Sequence, residues 1–91
     1  MHVTIRYTGM VQVRLKTERE CLHLQGEEAN LGQVLAAVAE KRGVVVAEEI
    51  SNQHLVMIEG PDGPRKVRSD ELDAPIRDGD TVLFIRPFAG G

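Results

Sequence analysis

The segment Thr81–Arg86 reads TVLFIR and is apolar at both parities, with Val82 and Phe84 on one and Leu83 and Ile85 on the other. A strand with one wet face alternates apolar and polar side chains. A strand apolar at both parities is one covered on both faces. The chain has 91 residues, enough for a single modest core that takes roughly 60 to 65 % of the unfolded surface out of water. With one core available, TVLFIR is predicted to be the central strand of one sheet, and the other elements must be arranged around it. Pro87 has no N–H to give to a ladder and ends the strand.

Upstream, Val3, Ile5 and Tyr7 alternate with Thr4 and Arg6, the pattern of a half-buried strand. Gly9 breaks it. Val11, Val13 and Leu15 then alternate with Gln12, Arg14 and Lys16, so the strand either resumes or pairs back as a hairpin. Thr17–Glu20 is a polar connection. Cys21–Gln25 reads as a short strand with Leu22 and Leu24 on one face and Cys21 and His23 on the other. Asn30 and Gln33 have the spacing of a capping box. Glu27 and Glu28 precede it, suited to the positive end of a helix dipole. Leu31, Val34, Leu35, Val38 and Ala39 recur at helical spacing. Lys41 and Arg42 suit the negative end, and Gly43 is a C-cap. The spacing predicts a helix over 31–42.

Val44–Gln53 stays open between extended chain, favoured by its valines, and a helical turn. His54–Gly60 reads as a strand, Pro61–Pro64 as a tight bend, and residues 65–69 as a short edge strand. Asp70–Asp80 is a compact connection with an Asp-Gly pair at Asp78–Gly79. The order is strand, strand, helix, strand, strand, strand. The expected fold is therefore α+β, a β-grasp: a mixed sheet of four to five strands packed on one main helix, with the last strand in the middle beside the first. Residues 1–86 form the domain and residues 87–91 a C-terminal tail.

Composition removes several functions. The eleven Lys and Arg are scattered and the net charge is −3, unlike the basic stripe of a nucleic-acid binder. Tyr7, Phe84 and Phe88 are the only aromatics of the Phe, Trp and Tyr class, too few for a base-stacking platform. Cys21 is the only cysteine, so no intrachain disulfide is expected, and the usage fits a cytoplasmic chain. No apolar run approaches the roughly 20 residues of a membrane span, and the N-terminal stretch lacks a signal-peptide pattern.

Cys21 and His23 share a strand face, but one Cys and one His fall short of a zinc set. Neither His2 nor His54 has a spacing that completes it, so no metal site is expected. Glu18, Glu20, Glu27, Glu28, Glu48 and Glu49 read as a solvated surface able to steer a basic partner. Asp78-Gly79-Asp80 reads as turn chemistry. There is no Ser-His-Asp set and no phosphate-binding glycine loop, and no bound cofactor is expected.

Residues 76–91 read IRDGDTVLFIRPFAGG: an Asp-Gly-Asp turn, the apolar last strand, a proline and a terminal Ala-Gly-Gly. In this the chain resembles the MoaD/ThiS family of ubiquitin-like sulfur carriers, which includes the small subunit of molybdopterin synthase and the thiamine sulfur carrier. Over the N-terminal half the resemblance rests on element order and the helix over 31–42. The chain departs from the molybdopterin type in carrying Arg86-Pro87-Phe88 in place of paired prolines, and Pro61–Pro64 enlarges a hairpin.

The resemblance implies a protein cosubstrate rather than an enzyme. The carboxylate of Gly91 would be adenylated by a ubiquitin-activating-like adenylyltransferase, which uses ATP. Sulfur from a persulfide donor protein would displace AMP and leave a thiocarboxylate. That group would pass its sulfur to an acceptor enzyme or a large synthase subunit, in molybdopterin, thiamine or thiolated-tRNA synthesis. Gly91 and Gly90 are then the working residues, Ala89, Phe88 and Pro87 the approach, and Leu83 and Ile85 a partner-binding patch.

Elementary chemistry agrees with that role. A free α-carboxylate, with a pKa of about 3.5, is ionised and a poor electrophile until activated. A tail of small residues threads a narrow cleft, where glycine accepts backbone angles that other residues cannot. From Pro87 to Gly91 an extended chain reaches roughly 17 Å.

Two other readings stay open. The activated tail could be attacked by a lysine amine, making the chain a ubiquitin-like protein modifier conjugated through Gly91. Or the chain is a non-covalent β-grasp interaction module. Phe88 either folds back on the core or docks into a partner, and the valine-rich segment after Gly43 either covers Leu83 and Ile85 or leaves them open.

Overall fold

The computed structural model describes residues 1–53 and 55–85. In chain order its elements are β1 (His2–Tyr7), α1 (Gly9–Leu15), β2 (Arg19–His23), β3 (Glu28–Asn30), α2 (Leu31–Arg42), α3 (Val44–Gln53), β4 (Leu55–Gly60), β5 (Gly63–Arg68), β6 (Pro75–Arg77) and β7 (Thr81–Ile85). Five strands make a mixed sheet in the order β2-β1-β7-β4-β5. The apolar last strand is central, as its composition requires: parallel to β1 on one side, antiparallel to β4 on the other. A separate two-stranded ribbon pairs β3 with β6.

One face of the sheet is buried. Val3, Ile5 and Tyr7 from β1, Val56 and Ile58 from β4, and Val82 and Phe84 from β7 all lie within the core. Leu31, Val34, Leu35 and Val38 of α2 pack against them. Each such side chain contributes about 1.5–3 kcal/mol by leaving water. The capping box of α2 is present: Gln33 N donates to Asn30 Oδ1 at 2.8 Å, and Asn30 N donates to Gln33 Oε1 at 2.9 Å.

The structure departs from the sequence reading at several points. Val11, Val13 and Leu15 lie on the helix α1, not on a strand. Positions i and i+4 share a helix face as well as a strand face, so Val11 and Leu15 turn to the core while Val13, between them, is 66 % exposed. Lys16 ends this helix in the left-handed region, at φ 54°. The open Val44–Gln53 segment is helical, with Val46 and Ile50 buried at i, i+4 and Val44 and Val45 exposed. α2 remains the longest helix, and α1 and α3 add Val11, Val46 and Ile50 to the same core. Glu28 starts β3 rather than a helical turn, and the first turn of α2 holds no acid. The connection 70–80 contains β6.

Several carboxylates are structural. Glu20, expected in solvent, has a side chain only 7 % exposed. Its carboxylate accepts from Arg42 Nε and Nη2, both at 3.0 Å, and from the Tyr7 hydroxyl, and pairs with Lys41 at 3.3 Å. Burial alone would raise its pKa, but the hydrogen bonds from Arg42, Tyr7 and Lys41 outweigh it and hold the carboxyl below its ordinary value. Burial, together with the neighbouring Glu20 carboxylate, pushes the Tyr7 hydroxyl up.

The Asp78-Gly79-Asp80 turn behaves as the sequence reading has it. Gly79 sits at φ 87°. Asp78 Oδ1 accepts from His2 N at 2.7 Å, and the buried Asp80 accepts from Arg77 N at 2.9 Å. The turn thus ties the start of β1 to the start of β7.

Candidate functional site: the open face of the sheet

Register decides what the uncovered face of the sheet presents. Leu83 lies between Arg6 of β1 and Met57 of β4. Ile85 lies beside Leu55, and Thr81 between Thr4 and Glu59. All of these point away from Val82 and Phe84, because successive side chains take opposite faces. Val82 and Phe84 are at most 1 % exposed, while Leu55, Met57, Leu83 and Ile85 are half-buried. Neither α2 nor α3 covers them, since both helices pack on the other face through Val34, Val38, Val46 and Ile50. The segment after Gly43 therefore leaves Leu83 and Ile85 open.

The flanking strands add charge. Arg19 pairs with Arg6 across β1 and β2, while Lys66 and Arg68 face Met57 and Leu55 across β4 and β5. An apolar centre thus lies between two cationic margins on a chain whose net charge is −3. The margins are only partly neutralised. Arg6 stands 3.8 Å from Glu18, its Nε buried with no hydrogen-bond partner, and Arg68 pairs with Asp70 on the surface. Exposed pairs of this kind hold about 0–1 kcal/mol.

Ile85 is both a member of this patch and the end of β7. The strand is fixed there from both sides: Ile85 pairs with Leu55, and Thr8 Oγ1 donates to Phe84 O at 2.8 Å. The expected working residues Gly90 and Gly91, with Pro87, Phe88 and Ala89, lie outside the described residues. Of the sequence-derived site, the structure brings together Leu83 and Ile85. Sequence reasoning missed Leu55, Met57 and the basic margins. Residues 55–58, LVMI, are apolar at both parities like 81–85, which marks β4 as a second inner strand. The basic residues had no such signal, because only register gathers them. A groove of about 230 Å³ between the β4–β5 hairpin and β6 lies at the other end of the sheet and touches neither Leu83 nor Ile85.

No family model matches the chain, and no curated protein matches it. Solved structures do. SAMP1 from Haloferax volcanii superposes with a TM-score of 0.73 at 14 % identity, all of each chain being covered. The complex of subunits 1 and 2 of the molybdopterin-converting factor from Helicobacter pylori contains a chain that matches at TM-score 0.64 and 23 % identity, again covering all of both chains. The small archaeal modifier protein 1 of H. volcanii matches at TM-score 0.64 and 12 % identity, over 94 % of this chain and 97 % of that one. The chain has the ubiquitin-like β-grasp fold of the MoaD/ThiS type. Within the β-grasp, β1 and β7 are the parallel inner pair, and the open patch is the outer face of that pair together with β4. Among the described residues of this β-grasp chain, no helix is long and apolar enough to cross a membrane.

Proposed function

We propose that this β-grasp protein is a sulfur carrier that works through its C-terminal residue, as a cosubstrate and not as an enzyme. The observation that carries the reading is the continuity of β7 with the diglycine sequence. The central strand of the sheet continues in sequence into Arg86-Pro87-Phe88-Ala89-Gly90-Gly91, and its outer face is an open apolar patch. In this reading a ubiquitin-activating-like adenylyltransferase grips Leu83, Ile85, Leu55 and Met57 while the tail enters its ATP site. The Gly91 carboxylate attacks the α-phosphorus of ATP, and pyrophosphate leaves. A persulfide sulfur then attacks the acyl carbon and AMP leaves. Reduction of the remaining S–S bond by a thiol frees the thiocarboxylate, which donates its sulfur to an acceptor enzyme or a large synthase subunit. Similarity to a chain of the two-subunit molybdopterin-converting factor supports this reading.

Similarity to a small archaeal modifier protein supports a second reading, in which a lysine amine attacks the same activated carboxyl and the product is an isopeptide.

Mass spectrometry of the C-terminal peptide tests both. The full chain is incubated with ATP, a cognate activating enzyme and a persulfide donor. Fragmentation is needed because replacing one oxygen by sulfur adds nearly the mass of one methionine oxidation, and Met1, Met10 and Met57 are present. Sulfur on Gly91, lost in a Gly91-deleted chain, is the expected result. A branched lysine peptide without sulfur selects the modifier. An unmodified Gly91 with an enzyme proven active overturns both readings and leaves the interaction module.

A further inference from the structure

His2 stands directly opposite His23 across the antiparallel β1–β2 ladder. The neighbouring pair Met1–Leu24 is the hydrogen-bonded one: Leu24 N donates to Met1 O at 2.8 Å, and the Met1 amine donates to Leu24 O at 2.6 Å. Hydrogen-bonded and non-bonded pairs alternate along such a ladder, so His2–His23 is a non-bonded pair, where opposing side chains come closest. Their ring centroids are 4.7 Å apart, tilted at 60°. Cys21, two residues before His23 on the same face, has its Sγ 3.8 Å from His2 Nδ1. All three side chains are exposed.

These separations are close to those of side chains sharing one tetrahedral ion. With metal–sulfur and metal–nitrogen bonds of about 2.3 and 2.05 Å, sulfur and nitrogen on one zinc lie about 3.6 Å apart, and two imidazole centroids roughly 5 Å apart. As they stand, no three His, Cys, Asp or Glu side chains among the described residues form a ligating group. The thiol and the His2 ring are already at ligand spacing, however, and the exposed His23 ring, 4.7 Å from that of His2, would have to rotate to supply a third donor.

We infer that His2, Cys21 and His23 form a three-ligand site for a zinc-class divalent cation, with water as the fourth ligand. One thiolate and two imidazoles are the donors that suit such an ion. Binding takes the proton from the Cys21 thiol and needs one free ring nitrogen on each histidine. The site uses residues of the first two strands and does not depend on the role of the tail.

Cobalt(II) titration of the full-length, tag-free chain is the test. The expected result is one cobalt per chain, with a thiolate-to-cobalt charge-transfer band that zinc abolishes. Cys21→Ser removes the band. His23→Ala and His2→Ala each weaken binding by at least the tenfold that loss of a mere supporting residue costs, while Thr4→Ala, at Cys21's cross-strand neighbour, leaves it unchanged. Far-UV circular dichroism confirms that the variants fold. A spectrum without thiolate character, wild-type affinity in His23→Ala, or two chains per cobalt would overturn the inference.

Discussion

Replacing Glu20 by Gln removes a charge that three elements share. The Glu20 carboxylate sits on β2 and takes hydrogen bonds from Tyr7 of β1 and from Arg42 at the end of α2, with Lys41 beside it. Hydrogen bonds to a charged group contribute about 1.5–3 kcal/mol each in favourable cases, and losing one member of a fully buried pair costs about 3–5 kcal/mol. Arg42 and Lys41 are 27 % and 49 % exposed and regain water when the charge is lost, while Gln still accepts one bond. The expected loss at pH 7 is therefore about 2 kcal/mol, or roughly 8–16 °C in Tm for a domain of this size.

The dependence on pH separates this charge from simple packing. The folded-state pKa of Glu20 lies below the unfolded value of about 4.3. Its stabilisation is present above the unfolded value and lost as pH falls through the folded one. Urea unfolding of wild type and Glu20→Gln at neutral pH and at about pH 2.5 should show the gap closing in acid. A gap of the same size at both pH values, or a difference under about 0.5 kcal/mol at neutral pH, would refute the assignment of a stabilising charge to this site.

Leu83→Glu puts a carboxylate into the open patch. In the proposed carrier role it should raise the KM for the chain in ATP–pyrophosphate exchange with an activating enzyme by about tenfold or more, with Tm nearly unchanged because Leu83 faces away from the core. Gly60→Ala should cost about 1–3 kcal/mol, read by chemical denaturation, because the added Cβ would lie 2.8 Å from Oδ1 of the buried Asp80. In the same proposed role, deleting Gly91 should abolish sulfur transfer in the peptide assay.

Much of the fold was legible where a segment carried two agreeing signals. The helix over 31–42 had both periodicity and caps, and its boundaries are those of α2. The central position of β7 followed from its two apolar faces. The segment 9–15 misled because Val11, Val13 and Leu15 satisfy a period of two, and the same Val11 and Leu15 satisfy i, i+4. Ten residues between Tyr7 and Glu18, which are hydrogen-bonded N to O at 2.9 Å, gave the chain room to coil there. Glu20 read as solvated because its partners Arg42 and Tyr7 are 22 and 13 residues away, and nothing local announces them. The same holds for the open face: Leu83 and Ile85 followed from parity, but Met57, Arg6 and Lys66 became their neighbours only through register.

The position of β7 also has a mechanical consequence. β1 leaves the N-terminus and runs parallel to β7, which hands the chain on after Ile85. A load drawn between the two ends therefore pulls these strands lengthwise past each other. Their cross-links, and those to β4, share the force together instead of parting one at a time. A machine that hauls on the C-terminal segment while the N-terminus is held loads the middle of the sheet in shear, so resistance to forced unfolding is set by the barrier to that single event.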